Sequence, residues 1–168
     1  MKRILKLVKY PNEKLKTKCY PVRDEANWDE VRTIADRMHL TMRVFKGIGL
    51  SAPQIGLKLQ IFVMNMTGIE KDLQVVINPK ILSKRGKISC KEGCLSFPGI
   101  EIVVERSETI EVEYQNEWNE KIKRELNGIE AVCFQHEFDH LNGELFIDKV
   151  SSLKKKIALK KFKKLGHL

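Results

Sequence analysis

The sequence predicts a single domain that combines α-helices with a region of antiparallel β-strands. Apolar residues recur with a helical period before residue 47 and again near residue 136, and strand-like alternation dominates the stretch between them. No internal repeat or low-complexity linker divides the 168 residues, and a chain of this length can bury a core of its own. We therefore expect one domain over residues 1–168.

The composition is typical of a globular protein, with 42% hydrophobic and 32% charged residues. No apolar run approaches the length that spans a bilayer, and the basic N-terminus lacks the apolar stretch and cleavage site of a secretory signal. We expect a cytoplasmic protein without membrane insertion. The four cysteines form no CxxC pair, which favours reduced thiols over disulfides.

The first long helix is predicted to begin at the N-cap Asn27 and to end at Gly47, because apolar residues from Val31 to Phe45 recur about every 3.6 positions. His39 lies beside this apolar stripe and is expected to be structural. The segment from Gly47 to Gly56 follows at once and lacks the Lys-Ser/Thr of a phosphate loop. It is either a tight turn or a segment along which an extended peptide lies, with Gln54 offering an amide N–H to a reacting oxygen.

Short β-prone segments begin at residue 59. The clearest is Thr109–Tyr114, which alternates apolar and acidic residues and is joined to Lys121–Leu126 by a turn at residues 116–119. Connections this short exclude helical crossovers, so the strands are expected to be antiparallel. The other predicted strands are Leu59–Met64, Leu73–Ile77 and Lys80–Leu82, with Asn78-Pro79 separating the last two.

A second helix is predicted from about residue 128 to 141, with Asn127 and Glu130 in capping-box spacing. Its His136 and His140 are four residues apart, so both project from one face and can bind one metal ion. Glu137 lies between them and can accept a proton from a water that the metal activates. Taken alone, the pattern is equally compatible with an amphipathic helix that carries two unrelated histidines.

A third metal ligand has to come from outside this helix. Cys133 shares the histidine face, but seven residues separate it from His140, about 10.5 Å of helix, whereas metal–ligand bonds are only about 2.0–2.3 Å. His39 and His167 lie inside the first helix and at the terminus. Cys94, in a turn next to glycine, is the best-placed candidate, although a lone cysteine is more often a small buried hydrophobic residue. Three protein ligands would leave a fourth position open, as in catalytic sites.

Three segments together resemble the signature motifs of the peptide deformylases, in the family's order and spacing: Gly47–Gln54, Glu92–Ser96 and Gln135–His140. The resemblance extends over nearly the whole chain. It departs from the family's usual pattern at Ser51, where alanine is common. Lys46 and Glu101 stand where many members carry an acid and an arginine, respectively.

The resemblance implies an α+β fold in which antiparallel β-sheets pack around the central helix that carries HExxH, with an N-terminal and a C-terminal helix. It also implies a metal-dependent hydrolase that removes the formyl group from N-formylmethionine of nascent polypeptides and releases formate. The metal would be held by Cys94, His136 and His140. In this family it is typically Fe²⁺, with Zn²⁺, Ni²⁺ or Co²⁺ as substitutes.

The same resemblance assigns further roles. Glu137 would transfer the proton, and the Gln54 side-chain amide with the Leu95 backbone N–H would stabilise charge on the formyl oxygen. Glu92 would hydrogen-bond a metal-binding histidine. The residues expected to bind the substrate backbone or its methionine side chain are Ile48, Gly49, Leu50, Val132 and Cys133, with His136 as a further wall of the pocket.

The C-terminal region 149–168 carries eight lysines and no acidic residue. Such a charge favours a polyanionic partner, either RNA or an anionic membrane, although a solvated helix face is an alternative. The family resemblance implies ribosome association through rRNA. Two other functions stay open: a zinc peptidase, which leaves Cys94 and Gly47–Gln54 unexplained, and a metal-stabilised RNA-binding protein, which leaves Glu137 without a role.

Overall fold

Seven strands and three α-helices make up the fold in the computed structural model, which describes residues 3–167. The helices are α1 (Trp28–Val44), α2 (Gly128–Leu141) and α3 (Ser152–Lys164). The strands are β1 (Gly49–Ser51), β2 (Ile61–Met64), β3 (Gln74–Arg85), β4 (Ile88–Gly93), β5 (Glu101–Arg106), β6 (Thr109–Gln115) and β7 (Lys121–Asn127).

All strand pairs are antiparallel and belong to two sheets. The larger sheet has the order β1-β2-β3-β6-β7, and β4 pairs with β5 in a separate two-stranded sheet. Helix α2 packs on the larger sheet and also contacts β4, so the helix with the histidines touches both sheets. The predicted α+β class with antiparallel sheets is confirmed.

The part of the larger sheet around β2 is buried on both faces because α1 and α2 cover opposite sides. In β2, Phe62 and Met64 belong to the core cluster beneath α2, whereas Ile61 and Val63 belong to the cluster beneath α1. Alternate side chains of a strand point to opposite faces, so a strand covered on both sides carries apolar residues throughout. The ring of Phe62 meets Phe134 of α2 edge-on, with centroids 5.0 Å apart.

A third core cluster joins α3 to the smaller sheet and to the turn that follows β4. Phe162 of α3 is fully buried, and its ring lies 5.5 Å from that of Phe97 between centroids. The C-terminal helix is therefore fixed to the body of the domain by its apolar face. No helix within residues 3–167 is long and apolar enough to cross a membrane.

Several element boundaries differ from the sequence prediction. Helix α1 ends at Val44 because Lys46 adopts a left-handed conformation, with φ of 57°, before Gly47 is reached. The predicted break at Asn78-Pro79 is wrong, since β3 runs through it with a shift in register. The Asn78 side chain stabilises the strand at this register shift: it accepts a hydrogen bond from the N–H of Val22 and donates one to the carbonyl of Val22. Strands β1, β4 and β5 were not predicted.

The predicted capping box of α2 is also absent, although the helix has the expected bounds. The Asn127 side chain accepts a hydrogen bond from the Thr109 hydroxyl and makes no cap, and Glu130 accepts from Gln74 and Arg124. Side chains of β3, β6 and β7 thus bind these polar groups in place of the helix end.

Candidate active site

The two histidines of α2 lie on its buried face. The i, i+4 spacing places the rings of His136 and His140 with their centroids 5.0 Å apart. Both residues are almost fully buried, as is Glu137 between them. A helix face that carries three ionisable side chains into the interior requires partners there, because an unpaired buried polar group is costly.

Cys94 reaches this face from the smaller sheet. It follows β4 directly, in a tight turn closed by the N–H of Phe97 donating to the Cys94 carbonyl at 2.8 Å. The Sγ of Cys94 lies 3.3 Å from Nε2 of His140, and the donor atoms of Cys94, His136 and His140 all lie within 4.8 Å of one another. Donors around one tetrahedral ion are roughly 3–4 Å apart. The three side chains thus have the arrangement of a metal site.

The other candidate ligands lie elsewhere. The Sγ of Cys133 contacts the carbonyl oxygen of Ile48 at 3.7 Å. His39 is buried in α1, and the ring of His167 stacks on Phe162 with centroids 4.8 Å apart. Within residues 3–167, Cys94, His136 and His140 are the one group of three such donors that could hold a metal ion.

The chemistry of this donor set fits a divalent cation. Burial, together with the charges of His136 and Arg106, holds the pKa of His140 well below its usual value, which keeps the ring neutral and able to coordinate. Burial also lowers the pKa of His136, but hydrogen bonds with Cys94 and Glu92 outweigh burial and raise this pKa above its usual value. One thiol sulfur and two imidazole nitrogens are donors that divalent transition-metal ions accept.

Glu92 orients His136 from the opposite side of the ring. Its Oε2 lies 2.8 Å from Nδ1 of His136, which leaves Nε2 directed at the cluster. Burial raises the pKa of Glu92, but the hydrogen bonds from His136 and Arg106 outweigh this and hold the pKa at about 2. Glu92 is thus ionised, and the tautomer of His136 that it favours is the one with a proton on Nδ1.

Arg106 and Asp139 complete this network, although no role for either was predicted from the sequence. The guanidinium of Arg106 donates to Glu92 at 2.7 and 3.0 Å and to Asp139 at 2.5 Å. A signal was present, because Ile102, Val104 and Arg106 alternate on one face of β5 and all three are buried. An arginine on the apolar face of a strand indicates a buried carboxylate partner.

Glu137 lies where its carboxylate faces β1. Burial raises its pKa to about 7, which suits a group that accepts and returns a proton near neutral pH. Its Oε2 has no hydrogen-bond partner within residues 3–167. A Cβ added to Gly49 would come within 2.4 Å of Oε1 of Glu137, so β1 approaches this carboxylate as closely as only glycine permits.

The side-chain amide of Gln54 is held in one orientation. Its Oε1 accepts hydrogen bonds from both the backbone N–H and the hydroxyl of Ser51, each at 2.9 Å. Its Nε2 therefore faces Cys94 and Ser96, at 3.4 Å from Sγ and 3.3 Å from Oγ. The N–H of Leu95, next to Cys94, donates to no other group within residues 3–167. Two N–H donors are thus adjacent to the cluster.

A groove of about 670 Å³ leads from the cluster to the surface between β1 and β4. Neither strand has a hydrogen-bonded neighbour on the groove side within the described residues, since β1 is an edge strand and β4 pairs only with β5. Of the predicted substrate contacts, Ile48, Gly49, Val132 and Cys133 line the groove. Leu50 does not, because its side chain is fully buried in the core beneath α1.

The exposed rim of the groove carries Lys46 on one side and Lys91 with Glu101 on the other. Glu101 pairs with Lys91, with Oε2 at 2.6 Å from Nζ. The charges at positions 46 and 101, which depart from the family's usual pattern, thus make no ion pair with each other.

Comparison with known proteins identifies the family. Residues 4–156 match the model of the polypeptide deformylase family. A peptide deformylase of Hydrogenovibrio crunogenus is 42% identical over 95% of this chain and 94% of its own length. A peptide deformylase of Buchnera aphidicola subsp. Acyrthosiphon pisum is 43% identical over 97% of this chain and 93% of its own length. The crystal structure of a peptide deformylase from Legionella pneumophila superposes with a TM-score of 0.92 at 36% identity, covering 98% of this chain and 96% of that one. The chain therefore belongs to the peptide deformylase family, metal-dependent enzymes that remove the formyl group from nascent peptides.

Proposed function

We propose that the chain deformylates N-formylmethionine at the start of nascent polypeptides at the cluster of Cys94, His136 and His140, and that these three residues hold the metal. The observation that supports this most directly is the convergence of their donor atoms beside the Glu137 carboxylate. We take Fe²⁺ as the native ion, in keeping with the family. One sulfur and two imidazole nitrogens also suit Zn²⁺, Ni²⁺ or Co²⁺.

When bound, the metal would acidify a water molecule and polarise the formyl carbonyl. The protein's own contribution begins with Glu137. Its pKa of about 7 allows it to accept the proton of the attacking water and then to donate that proton to the leaving amine. Burial disfavours the charged form just enough that neither protonation state is strongly preferred near neutral pH.

Gln54 and Leu95 would stabilise the negative charge that develops on the formyl oxygen. Ser51 fixes the Gln54 amide before substrate arrives, so Nε2 needs no reorganisation during the reaction. The N–H of Leu95 provides a second donor from the turn that carries Cys94. Glu92 supports the site indirectly, by holding the ring of His136.

The nascent chain would bind in the groove as an extended strand between β1 and β4. Backbone groups of Ile48 and Gly49 are placed to pair with it by β-augmentation. Leu50 contributes only through the backbone of β1, since its side chain is buried. Val132 and Cys133 of α2 form the floor of an apolar slot for the unbranched methionine side chain, with Ile48 as a wall.

The lysines of α3 support a ribosomal partner for the enzyme. The buried face of α3 is anchored by Phe162, so six exposed lysines are displayed on a fixed helix: Lys154, Lys156, Lys160, Lys161, Lys163 and Lys164. Such an array suits the phosphates of rRNA. We further propose that residues 1–168 form a single domain and that the enzyme works in the cytoplasm, where its substrates are synthesised.

One assay tests the proposed function. Protein purified anaerobically with Fe²⁺ would be given a formyl-methionyl peptide, and formate release would be measured together with the metal content. We expect formate in proportion to bound iron. Protein that carries close to one metal ion per chain and yet releases no formate would refute the proposal. Cleavage of internal peptide bonds would indicate a peptidase instead.

A further inference from the structure

Lys46 stands at the rim of the groove with its backbone fixed by the end of α1. The N–H of Lys46 donates to the Arg43 carbonyl, and that of Gly47 donates to the Met42 carbonyl. The Lys46 side chain is exposed and lines the groove. In the described part of the chain it takes part in no ion pair. Its charge is thus uncompensated, and the backbone that carries it is fixed.

The opposite rim does not neutralise it. The one exposed carboxylate that lines the groove within residues 3–167, Glu101, pairs with Lys91 at 2.6 Å. The hydrogen bond and charge of Lys91, with a further contribution from Lys161, hold the pKa of Glu101 below its usual value. The charge of Glu101 is therefore already balanced by Lys91 and Lys161. The groove mouth thus carries an excess of positive charge, from Lys46 and from the exposed Lys9, which also lines it.

The register of the groove relates Lys46 to a particular part of the substrate. Gly49 lies against Glu137, at the reacting end. Lys46 lies three residues before Gly49, across the turn that ends α1, and both residues line the groove. A peptide that runs outward from the cluster therefore passes Lys46 with the residues that follow methionine, at positions 2 and 3.

We propose that Lys46 makes this enzyme prefer nascent chains with an acidic side chain at position 2 or 3 and disfavour chains with a basic one. The proposal rests on the function and the binding direction proposed above. The attraction acts in a partly solvated groove, so its effect is that of an exposed ion pair, a few-fold in rate for each charge. It weakens with salt, because the Debye length falls from about 10 Å at 0.1 M to about 3 Å at 1 M.

The test compares C-terminally amidated peptides that differ in one residue: formyl-Met-Ala-Asp, formyl-Met-Ala-Lys and formyl-Met-Ala-Ala, with a second set varied at position 2. Amidation removes the terminal carboxylate, which would otherwise bind Lys46 itself. For the iron enzyme at low salt we expect kcat/KM to be about threefold or more higher for the aspartyl than for the lysyl peptide. The ratio should approach one in Lys46→Gln and invert in Lys46→Glu.

The matched control is Lys18→Gln, which removes an exposed lysine that lines a different cavity. It should keep the wild-type ratio. Failure of the neutral formyl-Met-Ala-Ala peptide to release formate would overturn the proposed function itself. Efficient turnover of that peptide with equal rates for the aspartyl and lysyl peptides would overturn only the preference. A preference that persists in Lys46→Gln would also overturn it, because its source would lie elsewhere.

Discussion

Arg106 of β5 donates two hydrogen bonds to Glu92 of β4, from Nε to Oε1 at 2.7 Å and from Nη2 to Oε2 at 3.0 Å. The same carboxylate contacts His136 at 2.8 Å, and the same guanidinium reaches Asp139 of α2. Both charged side chains are about 95% buried. One buried ionic network thus connects the smaller sheet to α2. The same network orients His136, a proposed metal ligand.

Replacement of Arg106 by methionine should destabilise the protein strongly. It would leave the carboxylates of Glu92 and Asp139 buried without their cation, which costs about 3–5 kcal/mol. Chemical denaturation of the metal-free protein measures the loss. Adding Glu92→Gln to Arg106→Met should restore part of the stability, because it removes one of the uncompensated charges.

An exposed arginine provides the control for this experiment. Arg85 pairs with Glu125 on the surface of the larger sheet, where both side chains are more than half exposed. Arg85→Met should change the free energy of unfolding by less than about 1 kcal/mol. Equal losses for Arg85→Met and Arg106→Met would show that the buried network contributes no special stability.

The sequence predicted the helices and the cluster better than it predicted the smaller sheet. The bounds of α2 and the convergence of its histidines follow from local periodicity, which a single sequence displays directly. Strands β4 and β5 pair with each other across the turn that holds Cys94, and the charged residues Glu92 and Arg106 occupy positions on their buried faces where a sequence pattern requires apolar residues. The burial of Arg106 is explained only by its partners Glu92 and Asp139, which tertiary packing brings next to it. Such long-range pairing leaves little trace in local sequence.

The metal content of cysteine variants tests the third ligand. Cys94→Ala removes the one sulfur in the cluster and should reduce bound metal to a small fraction of the wild-type amount, measured by elemental analysis after gel filtration. Cys133→Ala is the matched control, since its Sγ contacts the Ile48 carbonyl instead. Full metal content in Cys94→Ala would exclude Cys94 as a ligand.

Glu137→Gln tests the proton transfer separately from metal binding. The amide has nearly the shape of the carboxylate but cannot accept the proton of water, so kcat should fall by about 10²–10⁴-fold with metal retained. Glu130→Gln makes the same chemical change on the same helix, at a residue that pairs with Arg124 outside the groove. Its rate should stay close to wild type. A Glu137→Gln enzyme with near-normal turnover would require another base.

Gly49→Ala should impair catalysis through Glu137 without touching the metal ligands. The added methyl would lie 2.4 Å from Oε1, so either the carboxylate or the β1 edge has to move. Displacement of a reacting group by about 1 Å can lower the rate by about 10²-fold. Gly93→Ala places the same methyl on the opposite edge of the groove at 3.6 Å from its nearest neighbour, an ordinary contact. Comparing kcat and metal content between the two variants therefore separates crowding at Glu137 from a general effect of the added methyl. Equal and small losses of kcat in both variants would contradict the role assigned to the contact between Gly49 and Glu137.

Ribosome association can be tested only by removing charge from α3, because deletion of the helix would uncover the core around Phe162. We expect the fourfold variant Lys154→Gln, Lys160→Gln, Lys163→Gln and Lys164→Gln to sediment less with ribosomes at low salt. The dependence of binding on salt should also become shallower, by roughly 0.7–0.9 in log–log slope for each phosphate that a lysine no longer neutralises. Turnover of a short formylated peptide should stay unchanged.

A second fourfold variant has the same net charge but leaves α3 intact. It replaces four exposed lysines elsewhere, Lys18, Lys58, Lys71 and Lys84, by glutamine. If α3 binds the ribosome, this variant should sediment with ribosomes nearly as well as the wild type. Equal weakening of the two variants would instead mean that the ribosome attracts the overall charge of +9 and that α3 has no special part in binding.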